Sequence, residues 1–184
     1  MKYKVGILGA TGLVGQQFVE RLQNHPWFEL TVLAASESSA GKLYQEACPW
    51  KLANELPSSI GAMPVVGCNL HSVEQAGNID LVFSAVPGPI AKNIEEEFAS
   101  KYPVISKTNA YRMAPDVPLL VPEVNPEHLD LIGIQKQRRG WQGFICTDPN
   151  CSTIQLVLTL KPLMRFGLTK VVVSTMQAIS GAGY

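Results

Sequence analysis

Hydrophobic positions in this chain follow two patterns, short unbroken apolar runs and longer stretches with apolar residues three or four apart. Lys4 to Ala10 (KVGILGA) is of the first kind and predicts a buried parallel strand ending in glycine. The next segment sets Val14, Phe18 and Leu22 on one helical face and stops at Asn24-His25-Pro26. Phe28 to Ala35 (FELTVLAA) predicts a second strand. Together they make one β-α-β unit, right-handed by default.

Ser36 to Met63 is polar and punctuated by Gly and Pro, which predicts mostly loop with one short helix. Pro64 to Val66 is a weak strand and Ile79 to Val86 (IDLVFSAV) a strong one, closed by Pro87-Gly88-Pro89. A helix follows with Ile90, Ile94 and Phe98 on one face and Glu95 to Glu97 mostly outward. Further on come a strand at Pro103 to Ser106, a helix at Pro126 to Arg138 and a strand at Gly143 to Cys146. Asp148-Pro149-Asn150 is a helix start; Cys151 to Arg165 has helical spacing until Pro162 disturbs it. Leu168 to Ala178 predicts one long β-branched strand. The alternation predicts an α/β fold: a doubly wound, mostly parallel sheet over residues 1–147, then the opening of a second α+β domain over residues 148–184.

Composition narrows the function. Fifteen basic and fifteen acidic residues cancel among 184, so no cationic stripe points to nucleic acid or anionic lipid. No apolar run approaches the roughly 20 residues that span a bilayer. The cysteines, Cys48, Cys68, Cys146 and Cys151, form no C-x-x-C pair and have no histidine at zinc-site spacing. The expectation is a cytoplasmic, small-molecule protein without a metal.

Gly9-Ala10-Thr11-Gly12-Leu13-Val14-Gly15 lies between the first strand and first helix, spaced one residue wider than the usual dinucleotide fingerprint. Glycines there let backbone approach a pyrophosphate, whose charge meets the free amides of the helix N-terminus. A plain glycine-rich turn is the other reading. The flanking strand and amphipathic helix favour a Rossmann-like nucleotide site. An NAD site usually ends its second strand on an acid that grips the ribose. Here Ser36, Ser38, Ser39 and Lys42 stand instead, which suits the 2′-phosphate of NADP, with Glu37 dissenting.

Cys151 opens the helix after Asp148-Pro149-Asn150. A thiol in that first turn feels the positive end of the helix dipole, which favours the nucleophilic thiolate. The same amides, with Asn150, suit an oxyanion. On the cysteine alone, a small buried residue after an Asx-type cap is the favoured reading.

The combination resembles a known family. GATGLVG, PNCST around Cys151 and QAISGAG near the end are similar to aspartate-semialdehyde dehydrogenase; NAYRM (Asn109 to Met113) and VPLLVPEVNPEHL resemble its archaeal and fungal-type branch. The resemblance implies that Cys151 forms an acyl-enzyme, that Asn150 helps hold the oxyanion and that Gln177 orients substrate. It implies phosphate binding by Arg112 with Asn109 in the same pocket. Thr11, Gly12, Leu13 and Val14 would cradle the pyrophosphate, and Ser36, Ser38, Ser39 and Lys42 would lie near the 2′-phosphate. Ser84 and Pro87-Gly88 would lie beside the nicotinamide, and Ser180-Gly181 in a loop lining cofactor or substrate.

The implied reaction is reversible NADPH-dependent reduction of L-aspartyl-4-phosphate to the semialdehyde, in lysine, threonine and methionine biosynthesis. Family members are nearly twice as long and use a histidine after the cysteine as acid and base. His25, His71 and His128 all precede Cys151, so the chain is expected to be an inactive fragment. The exposed terminal strand predicts a homo-oligomer. Malonyl-CoA reductase, N-acetyl-glutamyl-phosphate reductase and a non-catalytic nucleotide-binding module are the alternatives.

Overall fold

In the computed structural model, which describes residues 1–176, six strands form one sheet in the order β3-β2-β1-β4-β5-β6. They are β1 (Tyr3–Leu8), β2 (Phe28–Ala35), β3 (Val65–Gly67), β4 (Leu81–Ser84), β5 (Pro103–Ser106) and β6 (Phe144–Thr147). Every pairing is parallel, so the sheet is wholly and not just mostly parallel. Parallel strands need crossovers. These are α1 (Leu13–Leu22), α4 (Leu70–Ala76), α5 (Gly88–Ala99) and α6 (Leu131–Arg139), with one-turn helices α2 (Tyr44–Ala47) and α3 (Ser58–Gly61) between β2 and β3. The winding reverses between β1 and β4, which is where such sheets open a crevice at the strands' C-terminal ends.

Each face of the sheet buries its own core. Val5, Ile7, Val19, Leu33 and Val65 lie on one side, with Tyr44. Leu8, Val82, Phe98, Val104 and Ile145 fill the other. Helix α6 is pinned by the buried Gln135, whose amide donates to the carbonyls of Asp116 and Ile145 at 3.0 Å each while Ile145 N–H donates back at 2.7 Å.

Several expectations are corrected. Ser36 to Met63 holds two one-turn helices, not one, and α4 is a helix the apolar pattern does not reveal. The helix expected over Pro126 to Arg138 is a 3₁₀ turn (Pro126–Asp130) followed by α6. Helix α7 (Cys151–Leu160) passes into a 3₁₀ turn at Pro162. On α5 the inward face is Ala91, Glu95 and Phe98, while Ile90 is half exposed, so Glu95 is buried where it was expected outward. Residues 168–176 form no strand: strands need a hydrogen-bonded neighbour, and none pairs with this run among the described residues. Val172 is 86% exposed.

Candidate active site

The glycine loop leaves β1 at Leu8 and turns at Gly9, whose φ is +80°. A Cβ there would sit 2.6 Å from the Ala85 carbonyl oxygen, and one on Gly15 would run into Gly9 O and the Ala10 backbone. Both positions therefore require glycine. The loop's carbonyls are tied inward. Tyr44 Oη donates to Ala10 O at 2.8 Å, Gln16 Nε2 to Thr11 O at 3.0 Å, and Cys48 Sγ to Thr11 O at 3.8 Å. Tyr44 is fully buried and burial pushes its phenol far above the usual range, so it stays a donor. The N-cap of α1, Gly12, offers no side-chain cap, which leaves first-turn amides facing outward for an anion. Thr11 and Leu13 are half-buried, and Gly12 and Val14 are exposed.

Past β2 the chain forms a tight turn, with Ser39 N–H donating to Ser36 O at 2.8 Å. Ser36 and Ser38 hydroxyls lie 3.0 Å apart on its exposed rim, and Lys42 Nζ reaches back to Ser38 O at 2.8 Å. Ser39 is buried beneath them. The structure thus brings Ser36, Ser38 and Lys42 together in a small basic, hydroxyl-rich turn. Glu37 lies apart, its carboxylate 3.2 Å from where a Cβ on Gly67 would be, over the tip of β3.

Further along the same C-terminal edge the tips of β4, β5 and β6 gather polar groups. Arg112 Nε donates to Asp148 O at 2.8 Å and Nη2 to Lys107 O at 3.3 Å, while Lys107 pairs with the Asp148 carboxylate. Asn109 is exposed, and its Oδ1 is 3.0 Å from where a Gly88 Cβ would stand, so the loops after β4 and β5 touch. Asn150 caps α7: its Oδ1 accepts from Ser152 N at 3.0 Å and Ser152 Oγ at 2.6 Å. That fixes the amide by its oxygen. Cys151, the first residue of α7, is exposed.

Ser84 is fully buried and its Oγ donates to Glu95 Oε1 at 2.7 Å, so its hydroxyl is spent inside the protein. Pro87 and Gly88 are exposed above it. Gln177, Ser180 and Gly181 lie outside the described residues. Sequence reasoning missed Tyr44, Gln16, Glu95, Lys107 and Asp148. Their partners are distant in sequence, and no short motif carries them.

The remaining thiols are more enclosed than the exposed Cys151. Burial pushes Cys48 up and raises Cys68 and Cys146 to about 11 each. Among the described residues no group of His, Cys, Asp and Glu is placed to hold a metal, and no helix is long and apolar enough to cross a membrane.

A parallel sheet in this strand order, with an uncapped glycine turn at its switch point, defines a dinucleotide-binding domain. A family model for the semialdehyde dehydrogenase NAD-binding domain matches residues 4–132, and the chain belongs to that family. It is 56% identical over 181 residues to an aspartate-semialdehyde dehydrogenase of Methanothermobacter thermautotrophicus, covering 98% of this chain and 51% of that protein. A crystal structure of aspartate-semialdehyde dehydrogenase with NADP from Candida albicans superposes with a TM-score of 0.80 at 40% identity, over 90% of this chain and 48% of that one. A malonyl-CoA reductase (NADP) of Metallosphaera sedula is 38% identical over 98% of this chain and 50% of its own length. The chain spans about half the length of the curated relatives it matches.

Proposed function

We propose that this chain is the NADP-binding part, together with the nucleophile, of an aspartate-semialdehyde dehydrogenase. In this reading residues 1–147 bind the cofactor and residues 148 onward begin the catalytic domain. The observation that carries it is one shared edge: the uncapped glycine turn after β1 and the exposed Cys151 after β6 both stand at the C-terminal edge of the same parallel sheet.

The residues fit the cofactor. First-turn amides of α1, with Thr11, Gly12, Leu13 and Val14, would hold the pyrophosphate, and Ser36, Ser38, Ser39 and Lys42 the 2′-phosphate. Pro87 and Gly88 would border the nicotinamide, with Ser84 acting from below. NADP supplies or accepts the hydride when bound.

In the oxidative direction the Cys151 thiolate adds to the aldehyde carbon. Asn150, its Oδ1 committed to capping, would turn its Nδ2 protons, unpartnered among the described residues, to the oxyanion beside the amides of α7. After hydride loss a thioester remains on Sγ. A phosphate oxygen attacks its carbonyl, the carbon–sulfur bond breaks, and thiolate is restored as aspartyl phosphate forms. Arg112, oriented by the carbonyls of Asp148 and Lys107, with Asn109, would hold the incoming phosphate. Gln177 would orient the substrate, and Ser180 and Gly181 would line the same site.

The free thiols suit a reducing cytoplasm. The exposed apolar run at 168–176 suits association with another copy, and the pathway would be synthesis of lysine, threonine and methionine from aspartate. Malonyl-CoA reduction is the second reading, favoured by the 38% identity to such an enzyme. The test is NADP⁺ reduction, with aspartate 4-semialdehyde and phosphate, by the whole enzyme of which this reading makes the chain a part, and NADPH oxidation with malonyl-CoA. Turnover with the semialdehyde, abolished in Cys151→Ser, is the expected result; turnover only with malonyl-CoA would replace it.

A further inference from the structure

Glu95 is an ionisable side chain with no exposure at all, on the inner face of α5. Ser84 Oγ and Ser106 Oγ both donate to its Oε1 at 2.7 Å, and Thr108 Oγ1 donates to Oε2 at 3.3 Å. Ser84 is the last residue of β4 and Ser106 the last of β5. The network continues outward: Thr108 N–H donates to Ser106 Oγ at 3.0 Å and Ala110 N–H to Thr108 Oγ1 at 3.3 Å. One carboxyl therefore fastens the strand tip that leads into Pro87-Gly88 and the loop that carries Asn109 and Arg112. Burial pushes the carboxyl up, and the hydroxyls pull it back.

Stability alone does not call for a carboxyl here. Burying one is costly, and a well-packed apolar side chain would hold α5 against the sheet at no such cost. What the carboxyl adds is direction, with three hydroxyls drawn to two oxygens. We propose that Glu95 is a positioning residue that sets the cofactor-side loop after β4 and the anion-side loop after β5 in one fixed register. This rests on the reading of these loops as nicotinamide and phosphate borders. Fully buried, Glu95 would touch neither ligand.

The test compares Glu95→Gln, which keeps acceptor and shape, with Glu95→Ala and with Val104→Ala, a cavity in the middle of β5 away from the tips. Calorimetry with NADPH is expected to show Glu95→Ala weakened about tenfold, the cost of leaving buried hydroxyls unpaired beside the site. Glu95→Gln should stay within about twofold of wild type, and Val104→Ala should lose melting temperature without losing affinity. Hydrogen exchange read by mass spectrometry supplies a second measurement that needs no ligand. Glu95→Ala should speed exchange in residues 84–90 and 107–112 together, and Glu95→Gln in neither.

Unchanged NADPH affinity in Glu95→Ala, equal weakening in Val104→Ala, or exchange rising in only one segment overturns the proposal. Failure of the wild-type chain to bind NADPH overturns the cofactor reading instead. The exchange comparison then still decides whether Glu95 couples the two loops.

Discussion

The Tyr44 hydroxyl meets the Ala10 carbonyl oxygen at 2.8 Å across 34 residues of sequence, and with it a one-turn helix holds the glycine turn open toward solvent. Removing that hydroxyl leaves Ala10 O buried without its donor. Tyr44→Phe should therefore lose about 1–2 kcal/mol of unfolding free energy in urea and bind NADPH more weakly. A variant with wild-type stability and affinity would show that the loop holds its shape unaided.

In the proposed reading the hydroxyl-rich turn after β2 sets the choice of cofactor. Lys42 Nζ, 2.8 Å from Ser38 O, and the paired hydroxyls of Ser36 and Ser38 present donors where a carboxylate would favour NADH. NADPH should bind more tightly than NADH, and Lys42→Ala should remove most of the difference, about tenfold. Equal affinities in the wild-type chain would shift the ribose contact to Glu37.

Asp116 and Arg139 form the most enclosed ion pair among the described residues, with Nε–Oδ2 at 2.6 Å and Nη2–Oδ1 at 2.9 Å. The guanidinium holds the Asp116 carboxyl below its usual value and itself packs against Trp141. A carboxylate with a lowered native pKa contributes stability above its unfolded pKa of about 4, lost as pH falls toward the native value. Unfolding free energy should decline below about pH 4, and Asp116→Asn should flatten that decline while costing about 3 kcal/mol at neutral pH. An unchanged acid limb in the variant would assign the acid loss to other carboxyls.

The strands were legible because buried parallel strands are continuous apolar runs, and the glycine turn because its spacing follows from backbone contact. What escaped notice depends on tertiary partners. Glu95 hides in a row of three glutamates that reads as a solvated face; Ala91 and Phe98 at helical spacing were the available signal that this face turns inward. Helix α4 buries a single residue, Val73, too little to write a period. The β-branched run at 168–176 has strand propensity, but no strand among the described residues pairs with it, and propensity alone makes no backbone bonds.

Burial separates the four thiols. Cys48 and Cys146 are buried, Cys68 is partly so with its pKa raised to about 11, and Cys151 is exposed at the start of α7. Brief iodoacetamide treatment followed by peptide mapping should label Cys151 first. Faster labelling of Cys68 would mean that the strand tip behind Gly9 opens readily.

Cofactor and nucleophile share one site in the proposed reading, and the rate of Cys151 alkylation with and without bound NADPH tests that on this chain directly. Hydride transfer requires the nicotinamide to lie within contact of a carbon bonded to Sγ, so the bound ring must shield the thiol. Alkylation should slow with rising NADPH, with half the effect at the dissociation constant found by calorimetry, and NADH should need a higher concentration. An unchanged rate at saturating NADPH would separate the two sites and contradict the account.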